Sequence, residues 1–139
     1  MKNYMEMAAV VDGKTIVNTT PHEINFLDKD GNLVVVPTSV PAGERASEFL
    51  VNARAVERPV GDDTVTTVFV GTPEGTAIID DIEAWAAEEG IDNLRIIGSI
   101  IAAQAYPGRV LAMCPAPGYE RVAPAEKRMT AQKFTVYLK

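Results

Sequence analysis

One imidazole, one thiol and a small set of arginines, tyrosines and hydroxyls carry whatever chemistry this chain performs. His22 is the only histidine and closes the segment Asn18-Thr19-Thr20-Pro21-His22. A side chain that titrates near neutral pH can serve as acid, base or ligand contact, so His22 is a candidate site residue. Its neighbours favour a structural role. Pro21 fixes its own φ and drives Thr20 towards extended backbone. Asn18 and the two threonines can bond nearby main-chain groups and hold the chain as it reverses. The five residues therefore read first as a structured corner, with His22 satisfied by a backbone carbonyl.

A second constellation begins at Gly98-Ser99, where a buried strand is expected to give way to a helix. Such turns present free N–H groups to anions, and Ser99 adds a hydroxyl. The plainer reading makes Ser99 a helix N-cap, with Ala102, Ala103 and Ala105 as packing residues. No complete Gly-x-Gly-x-x-Gly or Walker pattern accompanies the turn. Downstream, Arg109 follows Pro107-Gly108, Arg121 follows a proline-rich loop, and Lys127 and Arg128 lie close behind. Arginine's planar fork suits bidentate phosphate contact, and Tyr106 and Tyr119 can stack on a base. The same arginines can instead pair with Asp80, Asp81, Glu88 or Glu89, and the tyrosines can simply pack.

Other chemistries fit poorly. One His and one Cys do not make a structural zinc site, and no metal or cofactor is expected. A Cys114–His22 dyad is conceivable, but an apolar strand before Cys114 and Pro115 after it suit an inert buried thiol. Asp62-Asp63 reads as a turn, while Asp80-Asp81 and Glu88-Glu89 are adjacent helical pairs that point in different directions. No catalytic set emerges. The net charge of −6 disfavours a nucleic-acid polymer, whose binding rests on neutralised phosphates. No apolar run approaches the ~18 residues of a membrane span, and Met1–Glu6 lacks a signal-peptide core. A single cysteine allows no internal disulfide and fits a reducing, cytoplasmic setting.

The elements that must position these residues follow from periodicity. With 139 residues, 47% hydrophobic and 23% charged, the chain suits a single α+β domain over 1–139. Asp12-Gly13 between apolar runs predicts a type I′ hairpin within 6–18. Glu23–Leu27, the turn Asp28–Asn32 and Leu33–Val36 predict a second. Pro37–Gly43 breaks the sheet. Phe49–Glu57 and Thr64–Gly71 predict two more strands. Ile78, Ile79, Ile82, Trp85 and Ala86 fall at helical spacing, predicting an amphipathic helix of roughly three turns, capped by Thr72 or Thr76 and stopped at Gly90. Trp85 reads as its core anchor. Leu94–Gly98, Ser99–Tyr106 and Arg109–Met113 predict a short βαβ-like unit, Cys114–Gly118 a loop, Pro124–Met129 a polar turn, and Phe134–Leu138 a last strand. The predicted architecture is antiparallel hairpins packed with one amphipathic helix and that βαβ-like unit.

The Asn-x-Thr-Pro-His-x-Ile pattern, its Asp-Gly hairpin and the later block Ile96-Ile97-Gly98-Ser99-Ile100-Ile101-Ala102-Ala103-Gln104-Ala105 followed by Arg109 resemble a family of small bacteriophage and prophage proteins of unassigned activity. The two blocks span most of the chain; Pro124–Lys139 departs from the pattern. The resemblance implies a phage origin, acting in the cytoplasm of the bacterial host. It also suggests an inhibitor of host defence that sequesters a nucleotide signal. Combined with the residues, the expectation is a non-enzymatic, homo-oligomeric binding protein. It would hold a small anionic ligand around Ser99, Arg109, Tyr119 and Arg121, with Tyr106, Gly98 and His22 close by. Two rival expectations are a protein–protein inhibitor or accessory phage factor, and a metal-dependent nucleotide-cleaving enzyme.

Overall fold

Neighbouring residues on a strand point to opposite faces, yet Ile16 and Val17 are both fully buried, as are Ile96 and Ile97. Their strands must lie in a middle layer with apolar partners on either side. The computed structural model, which describes residues 3–40, 44 and 49–138, bears this out. Its strands are β1 (Ala8–Val11), β2 (Lys14–Asn18), β3 (Ile24–Leu27), β4 (Leu33–Val36), β5 (Ala53–Pro59), β6 (Val65–Gly71), β7 (Leu94–Ile97), β8 (Ala112–Pro115) and β9 (Met129–Thr135). Two α-helices join them, α1 (Pro73–Glu88) and α2 (Ile100–Ala105).

The middle layer is the sheet β1-β2-β7, with β1 antiparallel and β7 parallel to β2. On one face Ala8, Val17 and Ile96 meet Ile79, Ile82 and Trp85 of α1, Ala102 of α2, and Tyr106. On the other, Val11, Ile16 and Ile97 meet Phe26, Val36 and Ala131 of the sheet β4-β3-β9-β8. The order of layers is thus helices, sheet, sheet. Each fully buried Ile, Val or Phe at these junctions contributes about 1.5–3 kcal/mol of transfer free energy. Trp85 anchors the helical layer, edge-on to Tyr4 at 5.6 Å, and Tyr4 donates its hydroxyl to Asp81 at 2.5 Å.

Local chemistry explains the element ends. Asp12 and Gly13 take φ of 51° and 79°, as a two-residue hairpin turn requires. The Asp28 carboxylate accepts the amides of Asn32 and Asp30, which holds its pKa below the usual value. Thr72 caps α1 by accepting from Gly75 N at 3.0 Å, and Gly90 follows the helix with φ of 71°. At 16 residues α1 is a turn longer than the apolar spacing predicted. Capping at Thr72 and Pro73 extends it beyond the stretch that carries apolar residues.

The C-terminal third differs most from expectation. Arg109 lies in a turn, and the following strand β8 begins only at Ala112 and includes Cys114 and Pro115. Pro115 is tolerated because β8 is an edge strand. The last strand starts at Met129 rather than Phe134 because Met129 and Thr130 pair in parallel with Phe26 and Leu27. The βαβ-like unit forms in its smallest version: α2 returns the chain so that Leu111 bridges Ile97 in parallel. Of the predicted break at 37–43, Pro41–Gly43 fall outside the described residues.

Candidate functional site

The Asn18 corner is built as a clamp between the two sheets. Asn18 is fully buried at the end of β2. Its amide nitrogen donates to the carbonyls of His22 (2.8 Å) and Pro37 (3.1 Å), while its amide oxygen accepts from Thr20 N (2.9 Å) and Thr20 Oγ1 (2.6 Å). That uses both donors and both acceptor sites of the side chain. Thr19 donates through N and Oγ1 to Ile97 O, tying the same corner to β7. Thr38 Oγ1 donates to Thr20 O at 2.8 Å. The structural reading of the segment therefore holds, with one change. The His22 carbonyl is what the corner grips; the imidazole is exposed and reaches no carbonyl among the described residues.

The Gly98-Ser99 turn is likewise occupied by its own structure. Gly98 N donates to Leu111 O at 3.0 Å, so it is not free to receive an anion. A Cβ at Gly98 would stand 2.7 Å from Val110 Cγ1 and 3.2 Å from Ala102 Cβ, so the glycine serves close approach of α2 and the returning chain. Ser99 accepts from Ala102 N at 3.0 Å as the N-cap of α2. It borders a recess of about 140 Å³ with Thr19, Thr20, Pro21 and Val51, well below the ~300 Å³ typical of small-molecule sites.

The downstream residues do not converge on Ser99. Arg109 spans to α1, its guanidinium donating to Glu83 and Asp80 at 2.5 Å each, and these bonds raise its pKa. Asp80 was among the competing partners read from the sequence; Glu83 was not. Tyr106 is buried, with its hydroxyl accepting from Thr72 N (2.9 Å) and donating to Asn52 O (2.7 Å). Its ring lies where Cβ atoms of Gly71 and Gly75 would stand, which leaves no face for a base. Tyr119 is half-buried and Arg121 exposed, both on the loop between β8 and Pro124. Cys114 is half-buried rather than buried, with Sγ 3.4 Å from Thr135 Oγ1.

A larger cavity opens beside the corner. It measures about 460 Å³ and is lined by His22, Glu23, Ile24, Asn25, Met113, Pro124, Lys127 and Met129. The β3–β9 pairing that carries Met129 to Phe26 builds it, and the turn at Pro124–Glu126 forms one wall. Three of the lining residues carry donors of different chemistry in their side chains: an imidazole at His22, an amide at Asn25 and an ammonium at Lys127. None of the three side chains makes a hydrogen bond or ion pair among the described residues, and Glu23 is the one acidic group. Ile24, Met113, Pro124 and Met129 supply apolar surface, methionine being well suited to fit varied shapes. Met113 borders this space and Cys114 does not, so the cavity brings no thiol to His22. Asn25, Met113 and Met129 carry no sequence signal for such a role, because only the long-range strand pairing gathers them.

No known family model matches the chain, and no curated protein or solved structure is significantly similar to it. Among the described residues no helix is long and apolar enough to cross a membrane.

Proposed function

We propose that this is a non-enzymatic binding protein that captures a small anionic ligand in the cavity of His22, Asn25 and Lys127. One observation carries the reading. Three residues with unengaged side-chain donors line, together with apolar residues, a cavity of about 460 Å³, within the size range of small-molecule sites. An ammonium and an imidazole beside a single carboxylate favour an anion, and the methionines favour a flat apolar portion such as a base. A binder fits better than a catalyst, since no described hydrogen bond orients the His22 ring against a nucleophile or a carboxylate.

The likeness of the two sequence blocks to bacteriophage proteins supports a phage origin. It also supports a nucleotide signal of host anti-phage defence as the ligand class. Relative to the sequence expectation, the site moves from Ser99 and Arg109 to His22, because Arg109 and Tyr106 spend their polar groups within the fold. The test is chromatography of the small molecules released when the purified protein is denatured after incubation with cyclic nucleotides and ADP-ribose. Recovery of one nucleotide, bound and chemically unchanged with or without divalent metal, supports the reading. Recovery of a cleaved product favours a nucleotide-cleaving enzyme. Release of nothing, together with capture of a host protein, favours a protein–protein inhibitor.

A further inference from the structure

The hairpin of β5 and β6 stands apart from both cores. Its strands pair along their whole length, Ala53 with Gly71 through Pro59 with Val65, and the tip from Val60 to Thr64 is exposed. It is held to the rest of the fold by α2, which packs against it chiefly along β6, and at its base, where Tyr106 covers Gly71 and bonds Asn52 O and Thr72 N. Towards the tip, Glu57, Arg58, Pro59, Val65, Thr66 and Thr67 are all exposed. Val56, Val68, Phe69 and Val70 are half-buried, and a two-stranded ribbon whose outer part is open to water is marginal by itself.

The two edges of this ribbon differ. β5 carries Arg54, Glu57, Arg58 and Pro59, the charges and proline by which edge strands avoid pairing. β6 reads Val65-Thr66-Thr67-Val68-Phe69-Val70-Gly71, with no charge and no proline in a chain of net charge −6. No main-chain hydrogen bond beyond those to β5 reaches β6 among the described residues.

We propose that β6 pairs antiparallel with β6 of a second copy of this chain, about a twofold axis at Val68, giving a four-stranded sheet β5-β6-β6-β5. Self-complementarity and charge single out a second copy and this edge. A strand paired with itself about a twofold is the simplest closed interface. With Val68 at the midpoint, Thr67 faces Phe69, Thr66 faces Val70 and Val65 faces Gly71 of the other copy, so no charge meets a charge. The same operation on β5 about Val56 would set Arg54 against Arg58 of the other copy, and like charges directly opposed are destabilising. It would also waste a ladder position on Pro59. Pairing through β6 instead sends both β5 strands, with their arginines, to the outer edges. Val56, Val68 and Val70, which share a face by their register, then form one apolar strip across the two copies.

Sedimentation equilibrium over a dilution series and disulfide trapping test this together, using the full chain with Cys114→Ser as background. Directly opposed residues have Cβ atoms about 4.5–5.5 Å apart, near disulfide reach, so V68C is expected to cross-link between copies on mild oxidation. Residue 66 of the two copies would stand four positions apart, about 13 Å along the strand, so T66C is not expected to cross-link. V68K opposes two ammonium groups and is expected to convert dimer to monomer. Its helical circular dichroism should stay as in the parent, because Val68 belongs to neither core cluster, while its melting temperature should fall to the value the parent shows at high dilution. The proposal is overturned if the parent chain sediments as a monomer throughout. It is equally overturned by a dimer that V68K leaves intact, or by cross-linking through T66C and not V68C.

Discussion

Replacing Asn18 by alanine removes four hydrogen bonds from a fully buried side chain, and the cost can be worked out group by group. The His22 carbonyl keeps a partner, since Thr20 Oγ1 lies 3.0 Å from it and can turn its hydroxyl there once Asn18 Oδ1 is gone. Thr20 N and Pro37 O have no such alternative. Each buried polar group left unpaired costs about 1–3 kcal/mol, so Asn18→Ala should destabilise by about 2–6 kcal/mol. With total stability of about 5–15 kcal/mol, that is a large fraction. In urea unfolding, with a slope of about 2 kcal/mol per molar, the midpoint should fall by roughly 1–3 M at unchanged slope. Asn18→Asp is the sharper variant. It keeps the shape and the acceptor but turns a carboxylate oxygen towards two carbonyls, so at neutral pH it should be worse than alanine. A loss below about 1 kcal/mol for Asn18→Ala, or an Asn18→Asp variant as stable as the parent, would refute the clamp.

Three further outcomes follow from the same contacts. Gly98→Ala drives a methyl into Val110 and Ala102 and should cost about 1–3 kcal/mol in thermal or urea unfolding. Tyr106→Phe strands Thr72 N at the head of α1 and should cost about 1–3 kcal/mol, with faster amide exchange at Thr72 as the local readout. Arg109→Gln removes exposed ion pairs to Glu83 and Asp80; it should cost less than about 1 kcal/mol, shrink further in high salt, and leave ligand-induced stabilisation unchanged.

Local chemistry made much of the fold legible. Asp12-Gly13, the Asp28–Asn32 turn, Gly90 and the Ile78–Ala86 stripe each specify their element within a few residues, while the choice between Thr72 and Thr76 as the cap of α1 is made only by the structure. The Asn18–His22 corner was also legible in kind, since Pro21 and the flanking hydroxyls announce a reversal. What failed were features decided by distant pairing. Nothing near Met129 says that it joins β3, and nothing near Arg109 says that α1 will offer it Glu83. The same limit explains the site. Ser99 and Gly98 carry an anion-like local pattern that the fold uses up as a cap and a close contact. The cavity beside His22 exists only because β9 returns to β3 and the Pro124 turn closes over it.

The most direct measurement of the central claim is the melting temperature of the parent protein and of Lys127→Glu, with and without cyclic nucleotides and ADP-ribose. Lys127 is exposed and unpaired among the described residues, so its reversal should leave the ligand-free melting temperature nearly unchanged. Binding to the folded state alone must raise stability, by about 2.7 kcal/mol at a hundredfold excess over Kd. The account predicts that at least one nucleotide raises the melting temperature of the parent and that Lys127→Glu abolishes the rise. A panel in which no nucleotide shifts the parent, or a shift that Lys127→Glu leaves intact, would contradict it.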